Sequence, residues 1–458
     1  MIATWCTEAL RRVPADETPL RARLVARRAL AGAFVADAES MDHDSAQALA
    51  MAERVDDDSA LVTALRARQI ARSGGGGNAE RVGLGRRMID LGMRTDTEDS
   101  VFWGRMWCFE AFVQAGRLDE AEAEVVALGT LPDARRPPLH RWQLNRARCA
   151  VHTAKGRFAA ALRLAQDPTG DDAVEPTFAR SMRVVGPLLE IAVLTGDTGF
   201  DPRPQLPPTG PGGVPAFGHR IAHWHVAFGR IDEAAEIHRR IAATPGHVPP
   251  FLSLMAAAGA GTLAAAVGDA DTARRTYREL LPHRHLHVAA GAGLTITSGS
   301  VEHVLGVTAA AIGKIPDAVE HLTAACRSND AAGLLPYACR SRLRLAELLA
   351  QRDRVGDRDR ARTVLLECHT TAHRLGMTPV ATAAADLARA LAGSAEPALL
   401  SARQQQVAEL VTEGHSNRRI ADELHISVRT AENHVQAILT ALGLRNRTQI
   451  ATWVTERR

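Results

Sequence analysis

Apolar residues recur at intervals of three and four along nearly the whole chain, and runs that alternate residue by residue are scarce. That period belongs to helices with one face turned to a core. The clearest case is Ala431, Val435, Ile438 and Leu442, spaced 4, 3 and 4, with Arg429, Asn433, Gln436 and Thr440 on the opposite stripe. Alanine and leucine are abundant and aromatics make up only 4% of the residues, a balance that favours helix over strand. The pattern predicts an all-α protein. Helices are predicted near the N-terminus at 21–37, 45–55, 59–71 and 79–91, arranged as two hairpins, with the glycines at 74–77 as the exposed turn of the second.

One signature punctuates the helical stretches, a glycine followed five residues later by alanine. It occurs at Gly116/Ala121, Gly156/Ala161, Gly229/Ala234, Gly268/Ala273, Gly313/Ala318 and Gly356/Ala361, while Gly196 fits the spacing without the alanine. Successive glycines lie 40, 40, 33, 39, 45 and 43 residues apart. The glycine is expected to end one helix in the left-handed conformation, and the alanine to sit where the next helix crosses it closely. Asp119, Asp232 and Asp317 then fall in first turns, where a carboxylate suits the helix dipole. The pattern resembles tetratricopeptide-like repeats, although the units are longer than 34 residues and lack that family's Trp and Tyr positions. Stacked units imply an α-solenoid over residues 1–393, interrupted by an irregular Pro/Gly-rich loop at 198–217.

After a linker at 394–399 the character of the chain changes, and residues 400–458 divide into four short helices. Ser401 and Gln404 form a capping box, Gly414 stops the first helix, and Ser427 caps the third. The third helix carries the buried stripe named above and shows Arg, Asn and Gln outward near its N-terminal end. Such a helix suits the major groove, where Arg reads guanine and Asn or Gln reads adenine. Arg429, Glu432, Asn433 and Gln436 are the candidate base-facing residues. Asn417, Arg418, Arg419, Thr430 and His434 are the candidate phosphate contacts.

These residues resemble the LuxR family of DNA-binding domains. The resemblance covers about 55 residues and rests on the runs EG-x-SN-x-x-IA-x-x-L at 413–424, IS-x-RT-x-x-x-H-V at 426–435 and LG-x-R-x-RT at 442–448. It implies a third helix that reads DNA and a C-terminal helix, 447–455, that makes a homodimer contact. Glu432 stands where the family most often has lysine, which implies a shifted sequence preference. Repeats followed by such a domain also resemble the C-terminal half of the large ATP-binding LuxR regulators. Their nucleotide-binding domain is expected to be missing, since no phosphate loop occurs and Gly313-Lys314 is followed by Ile315.

Charge and candidate chemistry change this picture little. Eight arginines against six acidic residues give residues 400–458 a net charge of only +2, so charge alone would not mark a DNA binder. Six scattered cysteines without a CxxC pair fit reduced thiols and a cytoplasmic protein. No run approaches twenty apolar residues and the N-terminal segment meets charges early, so neither a membrane span nor a signal peptide is expected. His283 with His287, and His219 with His223, could share helix faces, but inter-helix packing is preferred to a metal site. Asp56, Asp57 and Asp58 read as a capped turn, not a calcium loop. Trp103, Trp107, Trp142 and Trp224 read as packing between repeats in preference to a ligand groove. No nucleophile–base arrangement points to an enzyme, and no cofactor is implied. The sequence thus favours a transcription regulator that binds double-stranded DNA, with a protein, peptide or small-molecule effector at the solenoid. One alternative is an interaction scaffold with a vestigial or dimerising helix-turn-helix module. Another is a subunit that docks on a separate ATPase, which the polar start of the chain (Glu8, Arg11, Arg12) counts against.

Overall fold

The computed structural model describes residues 2–14, 16, 18–33, 38–130, 137–168, 174–197, 215–243, 247–291, 297–393 and 400–455. The protein is all-α: a tetratricopeptide-like array of helical hairpins followed by a four-helix domain. Its contacts divide it into two units, Met1–Leu387 and Ala388–Arg458. Residues 394–399, expected as a linker, and 198–214 of the expected loop lie outside the described residues.

In the first unit, six hairpins form at the six Gly/Ala signatures. Glu98–Gln114 packs on Leu118–Gly129, Pro138–Ala154 on Phe158–Gln166, and Pro215–Ala227 on Ile231–Ala243. Pro250–Val267 packs on Ala270–Leu280, Val301–Ala311 on Ile315–Ala331, and Leu335–Arg352 on Asp357–Leu375. All seven repeat glycines have positive φ, between 73° and 84°. Ala121, Ala161, Ala234, Ala273, Ala318 and Ala361 each have 0% of their surface exposed. The alanine of each signature is thus fully buried in the first turns of the second helix of its hairpin. The acidic residues Asp119, Asp232 and Asp317 do occupy first turns.

The structure departs from the sequence expectations in several places. Near the N-terminus a helix not expected, Ile2–Arg12, packs on Pro19–Gly32, and the expected helices are Pro19–Gly32, Ala38–Val55, Asp58–Ala71 and Asn78–Arg94. Pro19–Gly32, Ala38–Val55 and Asp58–Ala71 pack on one another, whereas Asn78–Arg94 pairs mainly with Glu98–Gln114, so the second expected hairpin does not form. Its turn is largely covered, with Ser73 and Gly77 buried and only Gly76 exposed. The reason is the apolar helix Glu98–Gln114, whose own Phe102, Trp107, Phe109 and Phe112 are buried on more than one face, so that it is covered by Asn78–Arg94 on one side and Leu118–Gly129 on another. At Gly356 the first helix is ended three residues earlier by Asp353, itself left-handed at φ 48°, and the glycine caps the start of the next helix. Asp57 caps Asp58–Ala71, its side chain accepting from Ala60 N at 2.7 Å.

A two-stranded antiparallel ribbon, His287–Ala289 with Thr297–Ser300, was not expected. It occupies the longest repeat interval, 45 residues between Gly268 and Gly313. Ala289 joins the core formed by Phe102, Phe109 and Leu144, and the second strand touches Pro138–Ala154, Ile315–Ala331 and Leu335–Arg352. The repeats are therefore not in contact with sequence neighbours alone. The ribbon also removes His287 from any helix, so His283 and His287 share no helical face. His219 and His223 do share the helix Pro215–Ala227. Trp107, Trp142 and Trp224 are buried in packing, and Trp103 stands edge-on to Phe102. Among the described residues, one helix, Pro250–Val267, is long and apolar enough to cross a membrane by length and composition alone. Here Phe251, Leu252, Leu254, Met255 and Leu263 are buried, and the helix packs on Pro215–Ala227, Ala270–Leu280 and Val301–Ala311.

Two glycines separate conformational strain from steric fit. Gly313, φ 78°, has nothing within 4 Å of an added Cβ, whereas at Gly116, φ 73°, a Cβ would stand 2.3 Å from His287 Cε1. Gly313→Ala should lose about 1–2 kcal/mol from the left-handed penalty alone. Gly116→Ala should lose about 1–3 kcal/mol more, because the buried imidazole has to move. Urea unfolding of the two variants checks this; equal losses would place His287 away from that turn.

Candidate nucleic-acid interface

The C-terminal unit is held by a small core and by hydroxyl caps. The helix Ala402–Thr412 opens on a reciprocal capping box, in which Ser401 Oγ accepts from Gln404 N at 3.3 Å and Gln404 Oε1 accepts from Ser401 N at 2.7 Å. Asn417–Glu423 is capped by Ser416 and Val428–Leu442 by Ser427, whose Oγ accepts from Thr430 N at 3.1 Å. Arg447–Thr455 completes the unit. Val407, Ile420, Ala431, Ile438 and Ile450 are fully buried or nearly so, and Leu424 and Leu442 close the edges of the core. The four expected helices, their caps and their buried stripes are all present.

Between the second and third helices the chain turns at His425, which has φ 52° and a solvent-exposed side chain. Ile426 N returns to Ala421 O at 2.9 Å and ties the turn to the helix before it. Glycine would be the easier residue there, so nothing in the residue type signals the left-handed turn. This turn fixes the angle at which the third helix is presented.

Arg429, Glu432, Asn433 and Gln436 are all exposed on one face of Val428–Leu442. Arg418 and Arg419 are exposed at the start of the second helix. Among the described residues, neither they nor Arg429 takes part in an ion pair. The other candidates are partly engaged. Thr430 Oγ1 lies 2.7 Å from Ser427 Oγ, and Asn417 Oδ1 accepts from Arg447 Nη1 at 3.4 Å. His434 is half-buried. Arg447 also donates to His415 O at 2.5 Å, and Arg403 donates to Leu424 O at 2.5 Å, so these two arginines hold the unit together. Arg445, exposed and without an ion pair among the described residues, is not among the sequence candidates because no stripe or cap marks it. The net result is a polar face of one Arg, one Glu, one Asn and one Gln, flanked by two exposed guanidinium groups.

The comparisons bear on this unit. Residues 398–454 match the family described as bacterial regulatory proteins, luxR family. The transcriptional regulatory protein DegU of Brevibacillus brevis is 43% identical over 51 residues, which is 11% of this chain and 22% of that protein. The oxygen regulatory protein NreC of Staphylococcus aureus strain JH9 is 32% identical over 60 residues, 13% of this chain and 28% of that protein. The chain thus spans less than a third of the length of the curated relatives it matches. Over 98% of the chain and 87% of its counterpart, the fold is similar to the crystal structure of the APC/C hetero-tetramer Cut9–Hcn1, with 12% identity and a TM-score of 0.41. With its four helices, its exposed third-helix face and the match over 398–454 together, the C-terminal unit of this chain is a LuxR-family helix-turn-helix domain.

Proposed function

We propose that this chain is a sequence-specific, DNA-binding transcription regulator of the cytoplasm, and that its repeats receive the signal. The observation that carries the reading is the third helix, whose one exposed face gathers Arg429, Glu432, Asn433 and Gln436 while its opposite face is buried. Seated in a major groove, Arg429 would meet guanine or phosphate, Asn433 and Gln436 adenine, and Glu432 a cytosine amine. Arg418 and Arg419 would lie on the backbone beside it, with Asn417 and Thr430 in the first turns of their helices and His434 at mid-helix as further phosphate contacts. Two domains would meet through the helix Arg447–Thr455, whose outer residues Thr448, Thr452 and Thr455 are small and polar. A dimer of this kind reads half-sites about one helical turn apart.

In-vitro selection from random duplexes by the full-length chain tests the reading, and enrichment of a palindromic motif is the expected result. Failure to enrich anything above a salt-sensitive background would favour the scaffold alternative, for which the acidic Glu432 on the reading face is the supporting observation.

Once a site is defined, Arg429→Ala and Gln436→Ala should each weaken binding to it by roughly 1–3 kcal/mol and relax preference at one base position. Fluorescence anisotropy against the selected and a substituted duplex measures both effects, and unchanged affinity would remove the residue from the reading face. Arg418→Ala and Arg419→Ala should act differently. Each should weaken all duplexes alike and flatten the dependence of log K on log salt by about 0.9 for every phosphate left unneutralised. A salt titration of the double variant with an unchanged slope would take the second helix off the backbone.

A further inference from the structure

Two clefts in the repeat unit share a wall. The first runs between the helix Pro138–Ala154, the helix Phe158–Gln166 and the π-turn Val184–Leu188. The second continues past His219 and His223 to His303 and Arg340. Each encloses about 630 Å³, counting the space open to solvent, and Glu190 and Arg220 line both.

The wall has an unusual composition for a helical core. Among the described residues, Arg146, Arg183 and Arg220 line the first cleft with Glu190 and Asp167, and Arg220 and Arg340 line the second with Glu190, a balance of +1 in each. Arg220 Nη2 donates to Glu190 Oε2 at 3.1 Å and to Gly186 O at 2.9 Å, and Arg340 Nη2 lies 2.9 Å from His223 Nε2. Burial pushes His219 down to about 4 and His223 and His303 down to about 3, so the histidines are neutral near pH 7 and the positive charge is arginine. Arg146, pushed down by burial to about 10, stays charged, and its guanidinium lies 4.5 Å from the centroid of the Trp142 ring. Trp142, Leu164, Ala165 and Pro187 supply an apolar floor.

Among the cleft-lining polar atoms that make no hydrogen bond among the described residues are Thr297 Oγ1, His219 Nδ1 and Glu190 Oε1, the last 3.8 Å from Arg340 Nη1. Thr297 Oγ1, on a residue 6% exposed, lines the first cleft, and His219 Nδ1, on a residue 5% exposed, lines the second. Buried polar atoms of this kind normally have partners. The π-turn is a second irregularity: Pro187 sits inside it, and such single-turn bulges recur at functional sites.

We propose that this cleft binds a small organic anion with a flat apolar body. Its charged group lies among Arg146, Arg183 and Arg220, its body lies along Trp142, and the Thr297 hydroxyl donates to it. The inference deepens the reading of the repeats as the receiving part of the protein, and it is tested apart from DNA binding.

The test is thermal melting of the full chain with millimolar benzoate, salicylate, cinnamate or indole-3-acetate, each beside its neutral amide. At least one acid should raise Tm by about 1–3 °C while its amide does not. Thr297→Val should melt like the parent without ligand, since its hydroxyl bonds nothing, and should bind that acid about 3–10-fold more weakly. Ala165→Phe, which fills the floor, should abolish the response. The proposal is overturned if no acid stabilises the chain, if the amides act equally, or if both variants respond like the parent. Duplex binding is measured on the same samples. A chain that binds an acid but no DNA keeps the cleft and loses the regulator reading, and DNA binding without any acid response does the reverse.

Discussion

Close contact between paired helices, with one alanine methyl at each crossing, is the constraint on which the repeat unit depends. At six crossings that alanine has no exposed surface, and a left-handed glycine sits five residues before it. A larger side chain there would wedge the helices apart, because packed cores do not absorb extra methylenes without moving backbone. The tilt of each hairpin, and hence the stacking of the next, follows from that contact. The scarcity of aromatics follows too, since a core of thin crossings has few places for large rings. Where rings do gather, in Glu98–Gln114, the hairpin rule bends and the helix takes a partner on each side.

What could be read from the sequence is what is decided locally. A glycine turn, a hydroxyl cap or a 4-3-4 stripe involves residues that are near neighbours along one helix or its turn, and these features fall where the residue types put them. The LuxR-family domain was legible for the same reason, since its caps and stripes are all short-range. Partners distant in the sequence were not. Nothing in the residue order pairs Arg81 with Glu110, yet the two meet at 2.8 Å with both side chains almost wholly buried. Burial lowers the guanidinium's pKa while the carboxylate pulls it back up. Removing either partner would strand a buried charge. The ribbon at His287–Ala289 was hidden for a related reason: its strands are three and four residues long, too short for a period of two to stand out.

The domain at the C-terminus puts few charges to use. Arg403 and Arg447 bond backbone carbonyls inside the unit, so its external positive charge comes from a handful of exposed arginines. On the proposed reading, the phosphate term is then modest and discrimination has to come from base edges. A glutamate on the reading face agrees with that balance, since it repels phosphate but can accept from cytosine.

The repeat itself indicates where a ligand would fit. Gly196 is the one repeat glycine without its alanine, and the next interval shrinks to 33 residues. The helical segment just before it carries Pro187, which removes a backbone donor and opens the π-turn at Val184–Leu188. The cleft beside this π-turn is lined by Trp142, Arg146 and Arg183, in contrast to the buried alanines of the six signature hairpins. Neutral packing would have closed such a gap with apolar side chains. Here instead Arg220 pairs with Glu190 at 3.1 Å and Arg340 stands 3.8 Å from the same carboxylate, fixed charges that the proposed anion would meet.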